Sequence, residues 1–177
     1  MTVTVYAASS TQVAPVYIRA AQNLGKLLAQ NHISCINGAG KTGLMAAVTD
    51  AVLENGGQVI GIIPQFMVTN GWCHDALSER IITPDMHTRK QLMAQRSDAC
   101  IALPGGIGTL EELLEIITWK QLNLYHQPVV ILNTAHYYDD LLQMLEKTKQ
   151  EHFLHHEGLS LWSVAETPEE ALEKIRL

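Results

Sequence analysis

Leu103-Pro104-Gly105-Gly106-Ile107-Gly108-Thr109-Leu110-Glu111-Glu112 decides the fold. Just before it, Asp98-Ala-Cys-Ile-Ala-Leu103 is a short, mostly apolar run of the kind a buried parallel strand requires. After it, Leu110, Leu113, Leu114 and Ile117 recur at i, i+3, i+4 and i+7, the spacing of one helix face. Three glycines lie in the turn between. A glycine-rich passage from strand to helix lets backbone N–H groups approach an anion, with the helix dipole behind them. That outlines a phosphate site. Thr109-x-x-Glu112 also fits a capping box, in which Glu112 returns a hydrogen bond to the helix start. A cap needs only one glycine, so the ligand site is the stronger reading.

The pattern repeats in both directions from that turn. Val3–Ala7 reads as a first strand and Pro15–Gln30 as a helix burying Ala20, Leu24, Leu27 and Leu28. Ile33–Asn37 is a second strand, followed by Gly38-Ala-Gly-Lys-Thr-Gly43 and a helix over Leu44–Glu54. Gln58–Ile63 is a third strand, which Pro64 is expected to stop. A loop of poor periodicity runs from Gln65 to about Leu77, then a short strand Arg80–Thr83 and a helix Asp85–Arg96. Beyond the central turn come a strand at Gln127–Leu132, a helix at Tyr137–Lys149 and a last strand at Leu159–Val164. Thr167-Pro168 caps and opens the final helix. Strand–helix alternation of this kind predicts a doubly wound α/β domain: a Rossmann-like, three-layer α/β/α arrangement around a parallel sheet, with residues 1–177 as a single domain.

Such sheets bind ligands outside the carboxyl ends of their strands. Both glycine turns, the loop after the third strand and the helix start carrying Arg89 fall on that edge, so separate motifs converge on one cleft.

Length and composition narrow the function. At 177 residues with 47% apolar and 17% charged, the chain can bury roughly two-thirds of its unfolded surface. A formal charge of −6 argues against nucleic acid and acidic membranes as partners. No apolar stretch approaches 18 residues and Met1-Thr-Val-Thr-Val-Tyr lacks a basic leader, so no membrane span or signal peptide is expected and the chain reads as cytoplasmic. The three cysteines, Cys35, Cys73 and Cys100, lack metal-type spacing; Cys35 and Cys100 fall in strands as reduced core thiols.

Gly38-Ala-Gly40-Lys-Thr-Gly43 matches G-x-G-x-x-G literally. A dinucleotide site would place an acid at the end of the next strand, but none occurs between Glu54 and Asp75. Gly40-Lys41-Thr42 also imitates a P-loop, yet Cys35 stands where that motif requires glycine. A second close-approach turn survives, with Lys41 as either a phosphate contact or a solvated lysine. Asp85-Met86-His87-Thr88-Arg89-Lys90 is either an ordinary charged first turn or a site where Arg89 takes phosphate or carboxylate in bidentate fashion. His152, His155 and His156 have helical spacing but nothing upstream completes a metal site, so they read as a solvated helix end and no metal is expected. Trp119 and Trp162 read as core or interface residues.

Taken together, these residues resemble the Lonely Guy (LOG) family. Pro104-Gly-Gly-Ile-Gly-Thr-Leu-Glu-Glu112 fits its PGGxGTxxE motif and Met86-His-Thr-Arg-Lys90 its companion arginine–lysine motif. Val5-Tyr-Ala-Ala-Ser-Ser10, Gly43-Leu-Met45, Gly57-Gln-Val-Ile-Gly-Ile-Ile-Pro64 and Ile117-Thr-Trp119 extend the match from about Val3 to Leu145. The resemblance implies a homodimeric Rossmann-like phosphoribohydrolase that splits AMP, or an N6-modified AMP of the cytokinin type, into free base and ribose 5-phosphate without a cofactor. It implies Arg89 and Glu112 as the catalytic pair, and Gly105, Gly106, Gly108 and Thr109 as the phosphate turn. Lys90 stands beside the arginine and Thr118 is a nucleotide contact, while Gly38, Gly40 and Ser10 bind substrate from the neighbouring turns. Many relatives carry the label "lysine decarboxylase", for which nothing here suggests a pyridoxal phosphate site. The chain departs from the pattern at Ala7-Ala8-Ser9-Ser10, at Ala39, at Ile107 and around Thr69-Asn70-Gly71, where a substrate-binding glutamate is expected. The region of base recognition is thus changed and the catalytic pair kept. Two rival readings remain: a non-catalytic nucleotide or cofactor carrier, as in molybdenum-cofactor carriers of similar fold, and an NAD(P)-linked enzyme.

Overall fold

Seven strands, all parallel, make one sheet in the computed structural model, which describes residues 1–154 and 160–176. In chain order they are β1 (Thr2–Tyr6), β2 (Ser34–Asn37), β3 (Val59–Pro64), β4 (Glu79–Thr83), β5 (Ala99–Ala102), β6 (Val129–Leu132) and β7 (Ser163–Ala165). The helices are α1 (Pro15–Gln30), α2 (Gly43–Glu54), α3 (Gln65–Thr69), α4 (Met86–Gln95), α5 (Ile107–Gln121), α6 (Asp139–Gln150) and α7 (Pro168–Lys174).

Alternation along β1 divides the core. Val3 and Val5 face α1, α2 and α7, packing with Leu24, Leu28, Leu44, Val48 and Leu172. Tyr6 faces the other way, with Met93, Leu113, Ile116 and Leu145 of α4, α5 and α6. Each fully buried leucine or isoleucine in these layers contributes about 2 to 3 kcal/mol of hydrophobic stabilisation. The expected doubly wound α/β architecture is therefore present.

Strand order is β4-β3-β2-β1-β5-β6-β7. The chain winds outward from β1 to β4, returns to place β5 against the other side of β1, and winds outward again. Loops leaving β1 and β5 consequently diverge at the sheet's carboxyl edge, opening a crevice at the switch point.

Several boundaries differ from the sequence reading for identifiable reasons. Pro64 does not stop the third strand but ends it in register with Thr83. Pairing with β2 has already finished at Gly61, so the missing proline N–H breaks no bond on that side. The aperiodic loop after it contains the short helix α3, with Pro64 as its N-cap. Asp85 lies just outside α4 and caps it, accepting the Thr88 N–H at 2.7 Å. The helix expected from Tyr137 begins at Asp139, after a 3-10 turn over Thr134–His136. The last strand begins at Ser163, and Leu159, His155 and His156 lie outside the described residues. Among the described residues, no three His, Cys, Asp or Glu side chains could hold a metal ion, and no helix is long and apolar enough to cross a membrane.

Candidate active site

The crevice is a cleft of about 620 Å³, within the range of small-molecule sites. Ala7–Ser10 follow β1, Gly38 and Gly40–Thr42 follow β2, and Gly106–Thr109 with Glu111 and Glu112 follow β5. Met86 and Arg89 enter from α4.

The turn after β5 is built as a cradle. Helix α5 begins at Ile107 with Gly106 as its N-cap and no side-chain cap, so Thr109 and Glu112 form no capping box. Thr109 is instead buried against Gly105, where an added Cβ would stand 2.2 Å from the threonine hydroxyl. Gly106 and Gly108 differ. A Cβ at either meets nothing within 4 Å, so the chain's own packing does not demand glycine there. Bare backbone at the mouth of a helix suits close approach by an external anion.

The first two turns are fastened together. Gly43 has φ +65°, and a Cβ there would strike the backbone of Ala8, Ser9 and Ser10. Only glycine accepts both that conformation and that proximity. The Thr42 hydroxyl donates to the Ser9 carbonyl at 2.7 Å and the Met45 N–H to the Ala8 carbonyl at 3.0 Å. Ser10, Gly38 and Gly40 accordingly all line the cleft.

Arg89 and Glu112 meet at its floor, with Nη2 3.4 Å from Oε1 and exposures of only 5% and 8%. Arg89 Nε donates to the Ile62 carbonyl of β3 at 3.1 Å, which fixes the arm of the guanidinium. Gly38 leaves room for its tip: a Cβ there would fall 1.8 Å from Nη2. Burial raises the Glu112 pKa above the ordinary glutamate value, opposed by the adjacent Arg89 cation. A carboxylate so placed is a competent proton acceptor with a cation beside it.

Three residues singled out in the sequence stand outside the cleft lining: Gly105, buried beneath the turn, Lys90 and Thr118. Lys90, one position and about 100° round α4 from Arg89, turns to α5 and pairs with Glu111 and with Glu115 (3.1 Å). Burial works against its ammonium, but these hydrogen bonds prevail and raise its pKa. Glu111 reaches the cleft rim with its carboxylate held by Lys90, so Glu112 alone faces Arg89. Thr118 lies on the exposed side of α5, its hydroxyl donating to the Leu114 carbonyl at 2.7 Å. Lys41 does line the cleft.

The apolar wall escaped the sequence reading. Met45, Ile63, Met67, Met86 and the half-exposed Trp72 line the side away from β5. An aromatic residue in a loop without periodicity was the available signal. Residues 72–74 are stitched to the second turn: Lys41 N–H donates to the Trp72 carbonyl (3.1 Å) and His74 N–H to the Ala39 carbonyl (2.8 Å). The His74 ring contacts Asp50 of α2 at 2.9 Å.

Residues 45–175 match a family model described as "Possible lysine decarboxylase". The chain is 42% identical over 171 residues to rice (Oryza sativa subsp. japonica) "Probable cytokinin riboside 5'-monophosphate phosphoribohydrolase LOGL6", covering 97% of this chain and 68% of that protein. It is 41% identical over 171 residues to the Arabidopsis thaliana cytokinin riboside 5'-monophosphate phosphoribohydrolase LOG3, covering 97% and 80%. Among solved structures, the molybdenum cofactor binding protein of Rippkaea orientalis superposes with TM-score 0.70 at 25% identity, covering 99% of this chain and 93% of that one. The Chlamydomonas reinhardtii Moco carrier protein gives 0.74 at 23% identity, covering 99% and 94%.

Proposed function

The chain belongs to the LOG family, and from that premise we propose that it is a phosphoribohydrolase of nucleoside 5'-monophosphates, acting on AMP or an N6-modified AMP of the cytokinin type. The reading is carried by the Arg89–Glu112 pair, buried at 3.4 Å on the floor of a cleft whose rim is the Gly106–Thr109 turn. The 5'-phosphate sits at that turn, held by the backbone of Gly106, Gly108 and the helix start, with Gly105 and Thr109 beneath them. The ribose lies over Glu112. Ser10, Gly38 and Gly40 border it, and the base extends along the methionine and tryptophan wall.

Glu112 takes a proton from water as the oxygen bonds to the anomeric carbon. The electron pair of the N-glycosidic bond leaves with the base, which gains a proton, so one water yields free base and ribose 5-phosphate. Positive charge developing on the sugar is met by the carboxylate. Arg89 orients Glu112 and the phosphorylated sugar. Lys90 braces α4 against α5 rather than touching substrate. No step calls for a cofactor or metal.

We take the working unit to be a single-domain homodimer in the cytoplasm. Ile107, Leu114 and Leu122 stand exposed along one face of α5, starting at the cleft mouth, as an unpaired apolar stripe. Thr118 falls on the same face, so it would meet nucleotide from a second chain rather than from its own. All three cysteines are buried and free, which suits a reducing compartment.

Incubation with a panel of nucleoside 5'-monophosphates, assayed for ribose 5-phosphate, tests the reading. Glu112→Gln should lower turnover by about 10²- to 10⁴-fold, the usual share of a general base, while ribose 5-phosphate still binds. Wild-type turnover in that variant would sink the assignment. The second reading is a carrier, favoured by the likeness to molybdenum-cofactor binding proteins; retention of intact ligand with no product would support it.

A further inference from the structure

The turn that cradles the phosphate in this reading is held from behind by two neighbouring tyrosines outside the cleft. The Tyr137 hydroxyl donates to the Gly105 carbonyl at 2.7 Å, and the Tyr138 hydroxyl to the Leu103 carbonyl at 2.7 Å. The two bonds straddle Pro104, whose own nitrogen has no hydrogen to give. Neither tyrosine lines the cleft, whereas Gly106 does.

The carbonyl of Gly105 and the N–H of Gly106 belong to one peptide plane and, the bond being trans, point in opposite directions. A donor fixed on the carbonyl from the rear therefore sets the direction of the N–H in front. The grip costs backbone strain elsewhere. Ala135 (φ +52°) and His136 (φ +60°) both occupy the left-handed region without being glycine, a conformation that L side chains disfavour. That reversal is what presents Tyr137 and Tyr138 together. It is secured by buried Asn133, whose side-chain oxygen accepts the Tyr138 N–H at 2.7 Å and whose amide donates to Asp139 at 2.8 Å. Tyr137 is further wedged edge-on between the rings of Tyr17 and Tyr138.

We propose that Tyr137 is a positioning residue for phosphate recognition: its hydroxyl orients the Gly105–Gly106 peptide so that the Gly106 N–H meets the phosphate of the substrate, with Tyr138 fixing the preceding carbonyl. The proposal rests on the phosphoribohydrolase reading for the identity of the ligand. Tyr137→Phe keeps the ring packing and removes only the hydroxyl, so it separates positioning from bulk.

The test is binding of ribose 5-phosphate by calorimetry, together with kcat and KM for the best nucleotide, in wild type, Tyr137→Phe and Tyr137→Leu. Losing one oriented hydrogen bond predicts about a 5- to 10-fold weaker Kd for ribose 5-phosphate in Tyr137→Phe. KM should rise in parallel while kcat falls less, and Tyr137→Leu should add only a lower melting temperature. The dephosphorylated nucleoside serves as control: its weak binding should be equal in wild type and Tyr137→Phe. A folded Tyr137→Phe whose ribose 5-phosphate Kd stays within twofold of wild type overturns the positioning role and leaves the phosphoribohydrolase reading standing. A wild type that binds neither ribose 5-phosphate nor nucleotide overturns both.

Discussion

Replacing Gly38 with alanine adds one methyl group at the point where the cleft floor has least room. That carbon would stand 1.8 Å from Arg89 Nη2 and 2.9 Å from Cζ. Ordinary contact needs about 3.5 Å, so the guanidinium tip must retreat by roughly 1.5 Å. Its arm is tied to the Ile62 carbonyl through Nε, and its tip is the partner of Glu112. Retreat therefore loses either that hydrogen bond or the pairing. The stability cost is small because a flexible side-chain end, not backbone, does the moving: about 1 to 2 kcal/mol, or roughly 3 to 6 °C in melting temperature for a chain of this size. The catalytic cost is larger, since about 1 Å of misplacement at a reacting centre is worth about 100-fold. Thermal melts and kcat/KM for ribose 5-phosphate release measure the two separately. A folded Gly38→Ala protein with kcat/KM within threefold of wild type would refute the claim that the Arg89–Glu112 geometry carries the reaction.

With Glu112 as the proposed base, active when ionised, its raised pKa should place the acid limb of the kcat/KM profile above the ordinary glutamate value. Arg89→Met removes the cation that opposes this rise, so the limb should move higher still; an unmoved limb assigns it to another group. The sign for stability is opposite. A carboxyl whose pKa is raised on folding contributes fully below its unfolded value near 4.5 and loses that contribution as pH rises through its folded value, so the stability of Glu112→Gln relative to wild type should improve as pH rises from acid towards neutral. Leu114→Glu puts charge in the exposed stripe of α5 and should yield monomers in sedimentation, with its melting temperature judged at fixed protein concentration. Persistence of a dimer would move the interface elsewhere.

Legibility in the sequence followed the local determinants. Helix α1 begins and ends where Pro15 and the leucine–alanine periodicity place it, since proline at N1 and an amphipathic face are both local. The strand–turn–helix around Gly105 was equally plain. Side-chain destinations were harder. Lys90 follows Arg89 in the chain but faces α5, a consequence of the helix rotation that a motif match ignores. Thr118 belongs to a matched stretch of its own, Ile117-Thr-Trp119, and lies on the exposed face of α5. The reversal at Ala135 and His136 has no glycine to announce it, being imposed by Asn133 and the tyrosines rather than by intrinsic preference. The apolar wall was hard to read because its residues come from α2, β3, α4 and the segment around α3, and a five-residue helix is too short to display a period.

The outer part of that wall, Met67 and Trp72, comes from one continuous piece of chain. Residues 65–75 hang from the end of β3 and meet the rest of the site through the backbone bonds to Ala39 and Lys41, the ring of His74, and the packing of Met67, Val68 and Cys73 against Ala39 and Ile63. The Arg89–Glu112 pair is anchored apart from that segment, through the Ile62 carbonyl and α5. Evolutionarily, the two can drift apart: substitutions or exchange confined to one short segment reshape what is accepted while the bond-breaking apparatus is inherited unchanged.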